Sequence, residues 1–378
     1  MHMKESLYGD SAINCGRQKE IELAKCAAIL CLALIHCVIE CTPEEQLVSG
    51  IPYLFDTVIG GPLSATVFMF AMGVGVAHKN SQSTRDGALR GLRIMLISYM
   101  LNICRFLIPY LIGYGITGDT GKYIEPLLYK VLCNDILLFA GMALVLISLF
   151  RKLKLKDWQM AAIAFAASAA GTMLNGVDVN NALGNILLGY LIGTEDAAGM
   201  VMSYFPLLNW LVFPVSGYIF GKRLLRLKDK NLFYGILSAI CVPVATIYYA
   251  VGIVYERGMF GEGQNCYYHL QFSDAVGAIL STLGVLGLCH FLIRHLPEWV
   301  SSLSQKISRN ITSIYCIHWV LVVYITNLGL YIWRGTQVLP VWQTLLLGAA
   351  IEIAAIYIAA IWQQIRKRVR GGQNEKKA

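Results

Sequence analysis

Charge is scarce in this chain: 31 Lys and Arg with 23 Asp and Glu make up only 14% of its 378 residues. Average globular chains carry about a quarter, so an ordinary soluble domain is excluded, and with it a disordered segment or a charge-laced coiled coil. A CxxC pair is also absent, which sets aside the common zinc and redox frameworks and leaves the eleven Cys as mostly buried small hydrophobes. No Walker or dinucleotide fingerprint occurs, and the two halves show no self-similarity of the kind that transporters built from repeats display. The first twenty residues are polar and lead into a full apolar run without a small-residue cleavage site, so the first helix reads as an uncleaved anchor.

What is present is apolar. Hydrophobic residues form 56% of the chain and the mean hydropathy is +0.57. A spanning helix needs about 20 apolar residues at 1.5 Å rise each. Segments of this kind lie at 21–39, 62–77, 92–112, 132–150, 158–174, 203–221, 232–254, 274–293, 307–332 and 341–363, the second and fifth being short. The reading is an all-α polytopic membrane protein of about ten transmembrane helices. It divides into a cytoplasmic N-terminal segment (1–20), a transmembrane domain (21–365) and a basic cytoplasmic tail (366–378). The apolar run 183–193 is too short to cross and reads as a re-entrant or interfacial piece.

Basic residues set orientation, because short loops rich in Lys and Arg stay on the cytoplasmic side. One set of alternate loops holds Lys79, Arg85, Arg90 and Arg93, then Arg151 to Lys156, then Lys222 to Lys230, then Arg294, Lys306 and Arg309. The other set has few cations and carries Glu40, Glu44, Glu45, Asp56, Asp178, Glu195 and Asp196. The first set is expected in the cytoplasm with both termini, the second outside. The net charge of +8 is then accounted for by topology and an anionic inner leaflet, with no nucleic-acid partner called for. The expected location is the plasma membrane.

Ionisable side chains deep in a bilayer cost at least about 2.5 kcal/mol on insertion scales, so each asks for a partner or a role. His36 falls in the outer half of the first span, with Glu40 one turn further on the same face, a spacing that lets a carboxylate fix an imidazole tautomer. A His snorkelling to the interface is the plainer alternative. Arg105 in the third span reaches the depth of Asn134 and Asp135 at the head of the fourth, which suits either a structural ion pair or a functional one. His318 and Glu352 reach mid-membrane in the last two spans. Asn209 and Trp210 sit a few residues below the outer face of the sixth, where Trp also serves as a belt residue. Together these residues predict a hydrated polar chamber open to the outside, serving either catalysis or translocation. Arg90 and Arg93 sit one turn apart at the inner edge of the third span, as a phosphate clamp or as topology determinants. Gly73 and Gly75 suggest close helix packing.

The segments KEIELAKCAAILCLALIHCVIE, GGPLSATVFMFAMGVGVAHKN with the following RGLR, NDILLFAGMALVL, YFPLLNWLVFPVSGYIFGKRL and RNITSIYCIHWVLVVYI resemble the bacterial branch of the heparan-α-glucosaminide N-acetyltransferase-like family, which is related to acyltransferase family 3. Two charge-conserving departures are Glu22, where relatives often have Asp, and Lys25, where they have Arg; Asn209 stands where many have Pro. The resemblance implies acetyl-CoA as cytoplasmic co-substrate, no metal, and acetylation of an amine or hydroxyl on an extracytoplasmic sugar or glycan. It implies His36 as general base or transient acyl carrier, with Glu40 orienting it. His318, Asn209 or Arg105 would then steady the oxyanion, and Arg90, Arg93 and Lys25 would hold the nucleotide. The acceptor would be gripped by loops near 50–61, 113–130 and 255–272. A homodimer is compatible with this. The rival readings are a transporter of a small polar solute and a catalytically idle membrane scaffold.

Overall fold

A computed structural model describes residues 7–375 apart from 48, 80–82 and 262–263. The first six residues of the expected N-terminal segment, Asn80 of the second quoted motif and the last three residues of the basic tail therefore lie outside the described residues. The expected helical class holds: among the described residues no sheet forms, only isolated bridges in loops.

Among the described residues, ten longer helices form the bundle. They are α1 (Lys19–Cys41), α2 (Gly50–His78), α3 (Thr84–Thr117), α4 (Ile136–Lys152), α5 (Asp157–Met173), α6 (Val212–Leu225), α7 (Lys230–Val254), α8 (Phe272–Leu292), α9 (Glu298–Arg334) and α10 (Val341–Arg368). Among the described residues, eight helical stretches are long and apolar enough to cross a membrane, α4 counting through its longer stretch Thr120–Lys152. The other two are α5 and α6, with 17 and 14 residues. The expected sixth span, 203–221, is thus displaced toward α6, a short helix Leu207–Trp210 leading into it. The run 183–193 contributes a short helix, Ala182–Leu188, within a loop layer at one end.

The helices have apolar residues on both faces, as a bilayer solvent requires. On α7, Leu232, Ile236, Ile240, Val244, Ile247, Val251 and Val254 recur every three or four residues and all are exposed. This outward stripe is what lipid would cover. Inside, α2 packs along α6, α3 along α4, α7 along α8, and α1 against α9 and α10. The closest approach is between α2 and α6. A Cβ at Gly73 would collide with the Pro214 carbonyl, and one at Gly217 with the Phe70 carbonyl, so the two backbones touch directly. Gly75 has open space beside it.

The two sets of loops separate to opposite ends. At one, Lys222 pairs with Asp157 at 2.5 Å, Lys230 with Glu20 at 2.6 Å, and Arg17 donates to the Ser301 carbonyl at 3.1 Å. At the other, Asn134 reaches the Phe205 carbonyl at 2.6 Å, Tyr190 the Leu132 carbonyl at 2.8 Å, and the Leu339 N–H the Cys41 carbonyl at 3.0 Å. The cation-rich loops of the sequence therefore share one end and the acid-bearing loops the other.

Three segments wind more loosely than an α-helix: Leu54–Ala65 in α2, Ile103–Leu107 in α3 and Tyr324–Leu330 in α9. The second has a visible cause. Pro109 lacks an N–H and its ring crowds the carbonyl four residues earlier, that of Arg105, so the turn there opens. α1 is itself interrupted at Cys31.

Candidate active site

The interior of the bundle brings two of the predicted histidines together. His36 of α1 and His318 of α9 stack with ring centroids 5.3 Å apart and planes 15° from parallel. Trp319 lies 4.0 Å from His36, centroid to centroid. His318 is fully buried, whereas His36 is half-buried. His318 Nδ1 is 3.2 Å from the Ile314 carbonyl. A carbonyl only accepts, so Nδ1 carries the proton and Nε2 presents a lone pair. Two polar atoms here are buried with no hydrogen-bond partner among the described residues, His36 Nδ1 and His318 Nε2, while the Trp319 indole N–H lies beside the Tyr315 hydroxyl. Buried polar groups are nearly always satisfied, and two orphans in one ring cluster mark a place built for something that binds.

Arg105 forms the wall beside these rings. Its guanidinium donates to Asp135 Oδ2 at 3.0 Å and to Asn102 Oδ1 at 2.8 Å, and lies over Phe106 and Trp319 at 4.7 and 4.8 Å. Asp135 also accepts from Ser98 Oγ at 2.5 Å and caps α4 through the Leu137 and Leu138 N–H groups, both at 3.0 Å. The pairing read from the sequence is present, and Asp135 both caps α4 and holds it to α3 through Ser98 and Arg105. Asn134 ties the head of α4 to the Phe205 carbonyl.

Other sequence-selected residues go elsewhere. Glu40 does not reach His36; its Oε2 accepts from Asn327 Nδ2 at 2.8 Å. The loose turn of α9 presents Asn327 at that point, and an amide offers the carboxylate a better-aligned donor than a ring one turn along its own helix. Asn209 and Trp210 do not join the histidines. Asn209 donates to Asn175 Oδ1 at 3.0 Å and to the Leu270 carbonyl at 2.9 Å, while Trp210, fully buried and no belt residue, donates to the Tyr268 carbonyl at 2.8 Å. Both are anchored beneath the loop before α8. Glu352 is buried on α10 against the Ala33 backbone, just beyond the break in α1, with both carboxylate oxygens out of hydrogen-bond geometry. It sits about one helical turn from His36 along α1, toward the Lys19 end.

At the cation-rich end, Lys25 donates to Ser308 Oγ at 2.8 Å and lies within electrostatic reach of Glu22 and Arg90. Glu22 itself pairs with Arg17 at 2.5 Å. Arg90 is half-buried and turned toward this group, whereas Arg93 is exposed. Three positions along a helix leave two side chains about 60° apart, so one can meet a neighbouring helix while the other stays at the edge of the contact.

The opposite end carries a second polar knot that sequence reading missed. His269 Nε2 is 2.9 Å from Ser203 Oγ and 3.0 Å from the Ser203 carbonyl, and its Nδ1 is 3.3 Å from Glu195 Oε1. Asn265 donates to the same carboxylate at 3.0 Å. Burial pushes the His269 imidazole below its usual value, outweighing the Ser203 carbonyl and the Glu195 charge, which pull it up. Ser203 is wholly buried, so the knot clasps two loops and offers no open nucleophile. Trp319 and Asn327 were also missed, although Trp319 directly follows His318 and Asn327 is a rare amide within an apolar span.

A family model described as an acyltransferase domain matches residues 18–360, nearly the whole chain. The chain belongs to acyltransferase family 3. No curated protein and no solved structure matches it. Family membership and the apolar bundle together make this a multi-pass membrane acyltransferase. The matched region contains His36 and His318, so the orphaned ring nitrogens lie within the acyltransferase domain itself.

Proposed function

We propose that this acyltransferase moves an acetyl group from acetyl-CoA, met at the Lys25 and Arg90 end, to an amine or hydroxyl of a sugar that enters from the opposite, extracytoplasmic side. The observation that carries the reading is the stacked His36–His318 pair, with unpartnered ring nitrogens, inside an acyltransferase domain. The narrower likeness to heparan-α-glucosaminide N-acetyltransferase-like proteins supports the sugar as acceptor class. Plasma-membrane residence follows from the same proposal.

Each residue has a job that its geometry suits. His36 is the more accessible ring and takes the proton from the acceptor O–H or N–H as its C–O or C–N bond to the acetyl carbon forms. The C–S bond of the thioester breaks, and the proton is returned to the departing sulfur. His318 cannot steady an oxyanion, because its unpartnered Nε2 is an acceptor. The Trp319 indole N–H, a donor only, can. Arg105, already committed to Asp135 and Asn102, lies over the Trp319 ring. Lys25 and the half-buried Arg90 present the cations suited to nucleotide phosphates, a better pair than Arg90 with the exposed Arg93.

The test is release of CoA thiol by purified protein given acetyl-CoA and a sugar acceptor. His36→Ala should lower turnover by roughly 10²- to 10⁴-fold, the usual contribution of a general base, and leave acetyl-CoA binding nearly unchanged. Wild-type protein that neither binds acetyl-CoA nor releases thiol would refute the proposal.

A further inference from the structure

Beyond the histidines, away from the cation-rich end, lies a group of side chains that the proposed chemistry does not use. Lys130 lies in the stretch before α4, and its ammonium is 5.5 Å from the centre of the Phe106 ring, the same ring that Arg105 covers from 4.7 Å. Arg105 in turn lies over Trp319, and Trp319 on His36. Lys130 is therefore a few side chains from the general base, on its outer side, and within electrostatic reach of Glu40, Tyr110 and Tyr204.

Two features make this lysine unusual. Its ammonium has no ion pair and no hydrogen bond among the described residues, in contrast to that of Lys122 nearby, which donates to Gln337 Oε1 at 2.6 Å. Glu40, the acid within its electrostatic reach, accepts from Asn327. The surroundings are also tyrosine-rich. Tyr204 packs against Tyr129 at 5.7 Å and Tyr268 at 4.6 Å, and the Tyr129 hydroxyl is buried beside that of Tyr204. An ammonium with unfilled donors beside buried hydroxyls and flat aromatic faces matches a sugar ring that carries an oxyanion.

We propose that Lys130 and the tyrosines around it select acceptors bearing a carboxylate or phosphate group, which Lys130 binds while a hydroxyl or amine elsewhere on the acceptor reaches His36. The inference rests on the acceptor chamber of the proposed reaction, but its test does not need turnover. Tryptophan fluorescence of the full-length protein, in which Trp319 reports on the chamber, is followed during titration with glucose, glucuronate and glucose 6-phosphate at fixed ionic strength. Wild-type protein should bind at least one of the anionic sugars roughly tenfold or more tightly than glucose, as expected for a charge-assisted hydrogen bond. Lys130→Gln should bring that ratio close to one, and Lys130→Arg should keep it. Preference for glucuronate alone assigns a carboxylate acceptor, and preference for the phosphate ester alone a phosphorylated one. Absence of any anionic preference in the wild type, including no binding of any of the three, overturns the inference, as does a ratio unchanged in Lys130→Gln. Anionic preference in a protein that never releases thiol from acetyl-CoA refutes acetyl transfer and leaves the Lys130 site standing.

Discussion

At the scale of single residues, what the sequence reveals is the presence of a polar group where lipid surrounds it; what it conceals is the partner. His36, His318, Arg105 and Asp135 stood out because each is expensive in an apolar span, and the structure gathers all four. Glu40 misled, since its partner Asn327 is remote in sequence and is presented by a loosened turn of α9. The Lys130 group and the His269 knot depend on loops folding over the bundle end, which no helical periodicity encodes. The knot makes a prediction about pH. Burial depresses the folded-state His269 below the ordinary histidine value of about 6.5, so the unfolded chain binds the proton more readily. The stabilisation from keeping His269 neutral is thus fully present above about pH 6.5 and fades as pH falls through the depressed folded value. Asp178, held low by hydrogen bonds from Asn185 and the Asn180 N–H, loses its contribution only below the ordinary carboxylate range, near pH 4. Thermal unfolding in detergent should therefore shift downward between pH 7.5 and pH 5, and His269→Gln should shrink that shift. An equal shift in the variant would mean that other groups set the acid sensitivity of this end.

At the scale of helices, length and hydropathy were enough to place most of the bundle, but not to fix where helices end or which faces meet. The fifth segment already read as short and α5 is so, but the apolar composition was uniform enough that the α6 region looked like an ordinary span; the two are the shorter pair and carry much of the internal packing around Trp210. The glycines illustrate the limit. Gly73 and Gly75 look equivalent in FMFAMGVGVAH, yet two positions turn a helix by about 200°, and they face opposite ways. Gly73 meets the α6 backbone, where any side chain would force the helices apart, while Gly75 meets nothing. Gly73→Ala should lower stability by about 1 to 3 kcal/mol or more, the usual range for overpacking, and reduce recovery of folded protein. Gly75→Ala should be neutral, or slightly stabilising through helix propensity. Size-exclusion recovery and thermal midpoints in detergent for the pair would check this. Similar midpoints for both variants would show that α2 and α6 are not held at backbone contact.

At the scale of the whole molecule, the alternation of charge between loops was the most informative pattern in the sequence, and the structure respects it by sending the two sets to opposite ends. That separation gives the proposed reaction a direction. Lys25, Arg90 and Ser308 gather at the cation-rich end, Lys130 and its tyrosines toward the other, and the His36–His318 stack lies between them along α1 and α9. A donor and an acceptor entering from opposite compartments need a route that meets only at the imidazoles, whereas a soluble-style pocket would admit both from one side. Proteoliposomes with a uniform orientation separate these cases. With the cation-rich end facing out, labelled acetyl-CoA added outside should transfer label to a sugar trapped within, and His36→Ala should abolish that transfer. Label should not reach a sugar added on the same side as the acetyl-CoA. Transfer to a same-side sugar at a comparable rate would place both substrates in one vestibule, and the division of labour between Lys25 with Arg90 and Lys130 would then have to be withdrawn, even if His36 kept its place in the chemistry.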